Sequence, residues 1–120
     1  MPNTVLLIQD DPQLESDFKE RLRPSEFSIT QAINGFHGLK LATSEKFDFI
    51  FVDLMLHQID GLDVIRLLKW HPISQSSQLI AISRHHTPAQ QAITLSAGAT
   101  FFFKKPYTAE DLAVALQITR

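Results

Sequence analysis

The sequence predicts a single α/β domain built on a doubly wound sheet of parallel strands. Five short apolar, β-branched runs alternate with five segments of helical periodicity. Segments of this length between strands act as helical crossovers, and such crossovers join parallel strands. The chain has 120 residues, the usual size of one domain. We therefore expect residues 1–120 to form one domain.

The apolar runs predict the strands. They cover residues 5–8, 27–33, 47–52, 78–83 and 100–103. The third run is interrupted only by Asp48, which suits a central strand buried on both faces. In open sheets of this kind, ligands bind beyond the carboxyl ends of the strands. Polar residues at those ends are therefore the first candidates for a functional site.

Apolar residues at helical spacing predict the first three helices. In the first helix they are Leu14, Phe18 and Leu22. Pro12 suits the first turn of that helix, and Pro24 ends it. An Asn34-Gly35 turn precedes the second helix, over residues 36–43. The third helix follows a loop broken by Gly61 and ends before Pro72.

End signals predict the last two helices. Thr87 is a good N-cap, Pro88 suits the first helical position, and Gly98 is placed to end the fourth helix. Thr108 and Asp111 resemble a capping box that opens the fifth helix, which runs towards Arg120. Between the fourth strand and the fourth helix, His85 and His86 are expected in a solvated loop, because adjacent histidines rarely converge on one metal.

Composition excludes several classes of site. The chain has no cysteine, which excludes disulfides and thiolate metal sites. Its formal net charge of −2 gives no indication of a surface for nucleic acid or anionic lipid. No apolar run approaches the ~20 residues of a membrane span, and the N-terminus lacks signal-peptide features. We expect a cytoplasmic domain that binds neither nucleic acid nor membranes.

The polar residues that follow the strands predict a site for a cation and a phosphoryl group. They are Gln9, Asp10 and Asp11 after the first strand, Asp53 after the third, Ser83 at the end of the fourth and Lys105 after the fifth. Clustered carboxylates repel each other unless a cation lies between them, and Mg²⁺ prefers oxygen ligands. The lysine ammonium and the serine hydroxyl can both bind phosphoryl oxygens. Asp53 is the natural nucleophile, because carboxylates do form acyl phosphates.

Four segments resemble those of response regulator receiver domains in two-component signalling. They are Leu-Leu-Ile-Gln-Asp-Asp-Pro at 6–12, Phe-Val-Asp-Leu-Met-Leu at 51–56 followed by Asp-Gly-Leu at 60–62, Gly-Ala at 98–99, and Lys-Pro-Tyr at 105–107. Each segment alone is a weak signal, but their order and separations fit the family over essentially the whole chain. The resemblance implies a flavodoxin-like fold with a five-stranded parallel sheet in the order 2-1-3-4-5.

The resemblance also implies a role for each matching residue. Asp53 would accept the phosphoryl group and bind Mg²⁺, with Asp10, the Met55 carbonyl and, more weakly, Asp11 as further metal ligands. Lys105 would contact the phosphoryl oxygen, Ser83 would be the hydroxyl switch, and Phe102 the aromatic ring that rotates inward on activation.

Three positions differ from the family pattern. Gln9 stands where the first acidic residue is usual, His57 replaces a proline, and Arg84 follows Ser83 where a small residue is usual. One acidic charge fewer should weaken Mg²⁺ binding. The long cation of Arg84 could shield the acyl phosphate from water or obstruct the donor.

The expected partner is a histidine kinase or a phosphotransfer protein. An output domain or a second copy of the chain would bind the face formed by the fourth helix, fifth strand and fifth helix. We expect a signalling switch that catalyses only its own phosphotransfer and slow dephosphorylation. The main alternative is a degenerate receiver that binds partners without phosphorylation, as Gln9 and Arg84 suggest.

Two enzyme-like alternatives have less support. An aspartate-nucleophile phosphatase usually carries a second Asp two residues after the nucleophile, and that position is Met55. A flavodoxin-like electron carrier needs a loop rich in Ser, Thr or Gly after residue 8, which this chain lacks.

Overall fold

The computed structural model describes residues 3–9, 11–85 and 87–116, and only the backbone of Leu14. The five strands are β1 (Asn3–Ile8), β2 (Phe27–Ala32), β3 (Phe49–Asp53), β4 (Gln78–Ser83) and β5 (Phe101–Lys104). The five helices are α1 (Pro12–Arg21), α2 (Gly35–Ala42), α3 (Gly61–Trp70), α4 (Pro88–Ala97) and α5 (Ala109–Leu116). Strands and helices alternate throughout, as the sequence predicts.

The strands form one parallel sheet in the order β2-β1-β3-β4-β5. This confirms both the doubly wound fold and the predicted strand order. β3 lies in the middle of the sheet and all five of its residues are buried, which agrees with its nearly continuous apolar sequence. The carboxyl ends of β3, β4 and β5 are therefore neighbours at one edge of the sheet.

Alternating side chains divide the core between the two faces of the sheet. One face packs residues such as Ile8, Ile50 and Val52 against α2 and α3. The other packs residues such as Leu7 and Phe51 against α1 and α5. Phe102 contributes to the first face, whereas Phe101 and Phe103 contribute to the second, as the alternation of the three phenylalanines predicts.

Side-chain caps fix where the helices begin. The Asp11 and Thr87 side chains cap α1 and α4 by accepting backbone N–H bonds of 2.9 and 3.0 Å. Thr108 and Asp111 form the predicted reciprocal box, with bonds of 2.8 and 3.1 Å. Gly98 ends α4 at φ 129°, a left-handed conformation that favours glycine.

Several predicted boundaries were wrong for identifiable reasons. Asn34 and Gly35 do not form a separate turn, because the Asn34 side chain caps α2 and Gly35 is its first residue. Gly61 likewise begins α3 instead of breaking the preceding loop. Phe47 lies before β3, because the pairing of β3 with its neighbours begins at Phe49, and its apolar ring packs into the core from the preceding loop.

The predicted course of the fifth helix beyond residue 116, towards Arg120, lies outside the described residues, as does the predicted apolar contact of the Leu14 side chain. In the described part of the chain, none of the helices has the length and apolar character of a membrane span.

Candidate functional site

A buried ion pair lies at the carboxyl edge of the sheet. Asp53 is the last residue of β3, and Lys105 directly follows β5. The Lys105 Nζ donates to Asp53 Oδ2 at 2.7 Å, and the Met55 N–H donates to Asp53 Oδ1 at 2.8 Å. The Asp53 and Lys105 side chains are only 8% and 16% exposed. Because both carboxylate oxygens accept a hydrogen bond, the cost of burying this charge is partly offset.

The ion pair faces a cleft of about 310 Å³. Its lining is polar and charged: Asp11, Asp53, Met55, His57, Arg84, His85 and Lys105. A larger hollow of about 410 Å³ lies between α1 and the edge strand β2, with a mainly apolar lining that includes Leu22, Pro24 and Phe27. The smaller cleft joins opposite charges at the carboxyl ends of several strands, where ligands bind in sheets of this kind, so we assign the candidate site to it.

Gln9 places a buried hydrogen-bond donor beside this cleft. It is 1% exposed, and its Oε1 accepts the Asp11 N–H at 2.6 Å. That bond fixes the orientation of the amide, because only the oxygen can accept. Within the described part of the chain, the Gln9 Nε2 is buried without a hydrogen-bond partner. Where the family pattern has a negative charge, this chain therefore has an amide whose N–H donor is unpaired among the described residues.

Ser83 lies beneath the cleft at the end of β4 and is fully buried. Its Oγ accepts the His85 N–H at 3.1 Å, and its carbonyl accepts the Lys105 N–H at 2.8 Å. Ser83 thus fixes the backbone that carries two residues of the cleft. Phe102, on β5, is partly buried and packs against the core on the side of α2 and α3.

The loop that carries Met55 and His57 is held close to the start of α3. A Cβ at Gly61 would lie 2.5 Å from the Asp53 carbonyl oxygen and 2.6 Å from the Leu54 Cα. Since these are backbone atoms, only glycine permits this approach. Gly61 therefore lets the first turn of α3 lie directly against the backbone of Asp53.

Tyr107 connects the segment after β5 to α1. Its hydroxyl donates to Asp17 Oδ2 at 2.7 Å, and the Arg21 guanidinium lies 5.8 Å from its ring centroid. Burial and this hydrogen bond to a carboxylate raise the pKa of Tyr107 well above its usual value. The phenol therefore stays protonated at neutral pH. The peptide bond between Lys105 and Pro106 is cis.

The structure brings together most of the residues that the strand ends and the family resemblance predict for the site. Asp53 and Lys105 are in direct contact, and Asp11, Met55, His57 and Arg84 line the same cleft. Gln9 and Ser83 are buried next to it. Asp10, the predicted direct metal ligand, and His86 lie outside the described residues.

Sequence reasoning missed two features of the site. His85 is exposed, as expected for a solvated loop, but it also lines the cleft. Its place two residues after Ser83, at the end of a strand, was the available signal. The contact between Tyr107 and Asp17 had no signal in the sequence.

Comparison with known proteins identifies the family. Residues 5–117 match the response regulator receiver domain. The chain belongs to this family. The receiver is 32% identical to the nitrate/nitrite response regulator protein NarL of Escherichia coli over 117 residues, which cover 96% of this chain and 53% of NarL. It spans between 34% and 53% of the length of the curated relatives that it matches.

Solved receiver structures share the fold. A response regulator of Burkholderia pseudomallei with a phosphorylated aspartic acid, calcium ion and citrate is 29% identical, with a TM-score of 0.82, covering 97% of this receiver and 67% of that chain. The receiver domain of sensor histidine kinase PA1611 from Pseudomonas aeruginosa, with a magnesium ion coordinated in its active-site cleft, is 22% identical. The two structures superpose with a TM-score of 0.85, and the match covers 98% of this receiver and 96% of that chain.

Family membership defines the general role. The chain is a receiver domain of a two-component system, which is a signalling switch and not a conventional enzyme. Receiver domains work with histidine kinases and, in response regulators, with output domains.

Proposed function

We propose that this receiver, as one domain over residues 1–120, accepts a phosphoryl group on Asp53 from the phosphohistidine of a kinase or phosphotransfer protein. The observation that carries the proposal is the Asp53 carboxylate, which ends the central strand and pairs with the Lys105 ammonium at 2.7 Å in a polar cleft. A nucleophile and a cation that can meet a phosphoryl oxygen are thereby held together before any donor binds. The proposed location is the cytoplasm.

The reaction would transfer one phosphoryl group from nitrogen to oxygen. A carboxylate oxygen of Asp53 forms the new O–P bond as the P–N bond of the donor breaks, and the imidazole of the donor takes the electron pair of that bond and a proton from solvent. Lys105 would move its hydrogen bond from the carboxylate to a phosphoryl oxygen. Water would later hydrolyse the acyl phosphate slowly, which returns the receiver to its resting state.

The donor set fits Mg²⁺, which takes one or two carboxylates and keeps several waters. Asp53 and Asp11 both line the cleft. Asp11 Oδ1 already accepts the Gln13 N–H, which suits a minor role in metal binding. Asp10 and the Met55 carbonyl would complete the protein ligands. Apart from positions 10 and 86 and the chain ends, no group of three or more His, Cys, Asp or Glu is arranged to hold a metal. Bound Mg²⁺ would neutralise charge on the transferred phosphoryl group.

Phosphorylation would act on a two-state switch. The added charge would attract the Ser83 hydroxyl and favour an inward position of the Phe102 ring. The responding face would comprise α4, β5 and α5. α4 carries no charged residue, and Ile93 on α4 and Val114 on α5 are 51% and 53% exposed. These apolar side chains favour binding of an output domain or a second copy of the chain.

One alternative retains specific support. The chain could bind partners without phosphorylation, since Gln9 removes one acidic group and Arg84 lines the cleft. The two functions differ in their response to Mg²⁺ and beryllofluoride, a phosphoryl mimic. A phosphorylation-independent domain would show unchanged NMR spectra when both are added.

Intact-mass spectrometry after incubation with Mg²⁺ and acetyl phosphate tests the proposal. We expect one phosphoryl adduct, absent in Asp53→Asn and retained in Asp48→Asn. Asp48 is a matched control because it lies at the opposite end of β3, where its side chain accepts the Thr4 N–H at 2.8 Å. Equal labelling of the two variants would contradict the proposal.

A further inference from the structure

We propose that Tyr107 positions Lys105 for phosphotransfer through its hydrogen bond to Asp17. This inference rests on the proposed function, because it concerns the same reaction. Lys105 reaches Asp53 at the end of a flexible side chain, so the placement of its ammonium depends on how firmly its backbone is held. Two anchors hold that backbone, one at Lys105 and one at Tyr107.

The first anchor is a backbone hydrogen bond to the sheet. The Lys105 N–H donates to the Ser83 carbonyl at 2.8 Å, which extends the pairing of β4 with β5 by one step. Beyond this bond the chain leaves the sheet and passes through Pro106, which has no N–H to donate. A second anchor is therefore needed to fix the direction in which the segment leaves.

Tyr107 supplies that anchor on α1. Its hydroxyl donates to Asp17 Oδ2 at 2.7 Å, and the other oxygen of Asp17 accepts the Arg21 Nε at 3.0 Å. The Arg21 guanidinium in turn lies 5.8 Å from the Tyr107 ring centroid. Each of the three side chains thus contacts the other two, which restricts the Asp17 carboxylate to one orientation.

Ring packing connects the same tyrosine to the strand that carries Asp53. Tyr107 contacts Phe18 edge-on at 5.9 Å between centroids, and Phe18 contacts Phe51 in the same manner at 4.9 Å. Phe51 lies two residues before Asp53 on β3. The segment of Lys105 and the strand of Asp53 therefore share one packing partner on α1, which fixes the two reacting groups relative to each other.

Tyr107→Phe tests this role because it keeps the ring and removes only the hydroxyl. We expect phosphorylation by acetyl phosphate to slow by about fivefold, since small misplacements of a catalytic group are costly. The affinity for beryllofluoride, measured by ¹⁹F NMR, should fall by a similar factor. Asp17→Ala should match Tyr107→Phe, whereas Asp17→Asn, which keeps an acceptor oxygen, should recover most of the rate.

Two controls separate positioning from a loss of stability. Ser77→Ala removes a buried hydrogen bond to the Phe47 carbonyl at the opposite end of the sheet, so it should lower the Tm without slowing phosphorylation. In a Lys105→Ala background, Tyr107→Phe should cause no further loss. If Tyr107→Phe slowed phosphorylation by the same factor in the wild-type and the Lys105→Ala backgrounds, or did not slow it at all, this inference would be overturned and the proposed function would stand. If acetyl phosphate did not phosphorylate the wild-type chain, both the proposed function and this inference would be refuted.

Discussion

Replacing Lys105 with methionine isolates the ion pair at the centre of the site. The substitution keeps an unbranched apolar stem and removes the ammonium that donates to Asp53 Oδ2. The carboxylate then stays buried with one hydrogen bond, from the Met55 N–H. Asp53→Asn is the complementary change, because the amide oxygen can still accept that N–H. Together the two substitutions form a double-mutant cycle.

The geometry sets the size of the expected coupling. Two unit charges 2.7 Å apart interact by about 1.5 kcal/mol in bulk water and about 6 kcal/mol at an effective dielectric constant of 20. The pair lies between these limits, because the Asp53 and Lys105 side chains are 8% and 16% exposed and border an open cleft. Because the cycle cancels the desolvation cost of each single charge and the cleft is open to water, we expect a coupling free energy near the lower limit, about 2 kcal/mol.

Urea denaturation of the wild type, both single variants and the double variant measures this coupling. Lys105→Met should lower the free energy of unfolding far more in the presence of Asp53 than in the Asp53→Asn background. The pair between Arg66 and Asp63 is a matched control, since these side chains are 52% and 57% exposed and should couple by less than about 0.5 kcal/mol. An equally small coupling between Lys105 and Asp53 would refute our description of the site.

Three further outcomes are expected. Gln9→Asp should raise the Mg²⁺ affinity about tenfold in calorimetric titration, because it adds a carboxylate beside the cleft; an unchanged affinity would separate Gln9 from the metal. Arg84→Ala should shorten the half-life of the phosphorylated form, because it admits water to the cleft. Arg66→Ala, at an exposed arginine, is the control and should leave the half-life unchanged. An unchanged half-life for Arg84→Ala would show that Arg84 does not protect the acyl phosphate. The folded-state pKa of Tyr107 is raised, so its protonated hydroxyl contributes its full stability below pH 10.0 and this contribution is lost as the pH rises further. Tyr107→Phe should not show this loss of stability at high pH. Phenolate absorbance of this single tyrosine near pH 10.0 in the folded state would contradict its burial.

The site could be predicted from the sequence where it depends on strand ends. Parallel strands joined by helical crossovers place their carboxyl ends at one edge, so Asp53 and Lys105 were expected to meet although they are far apart in the chain. Strand alternation likewise predicted that Phe102 faces away from its two neighbours. Both predictions need only the period of the strand and the topology of the sheet.

Local boundaries were harder to predict because one residue type serves several purposes. Asn and Gly signal turns, but Asn is also a strong N-cap, and at Asn34 the capping role prevails. Phe47 reads as part of a strand because it is apolar, yet its ring fills the core from a loop. Which of these outcomes occurs depends on tertiary packing, which a single sequence does not display.

Individual side-chain hydrogen bonds that do not follow from the strand ends or from helix caps were not predictable. The bond from Tyr107 to Asp17 depends on how α1 lies relative to the segment after β5. The orientation of the Gln9 amide, which leaves its Nε2 without a partner in the described part of the chain, depends on its oxygen accepting the Asp11 N–H. Such contacts are set by distances of a few tenths of an ångström, whereas sequence patterns define only faces and ends.

Mapping the phosphorylated residue tests the central claim most directly. The chain is incubated with Mg²⁺ and acetyl phosphate, the acyl phosphate is reduced with borohydride, and the peptides are sequenced by mass spectrometry. Borohydride converts a phosphorylated aspartate into homoserine, which marks its position. We predict homoserine at position 53 and at no other aspartate. Homoserine at position 11 or 48, or none in a chain that stays folded, would contradict the assignment of Asp53 as the phosphoryl acceptor.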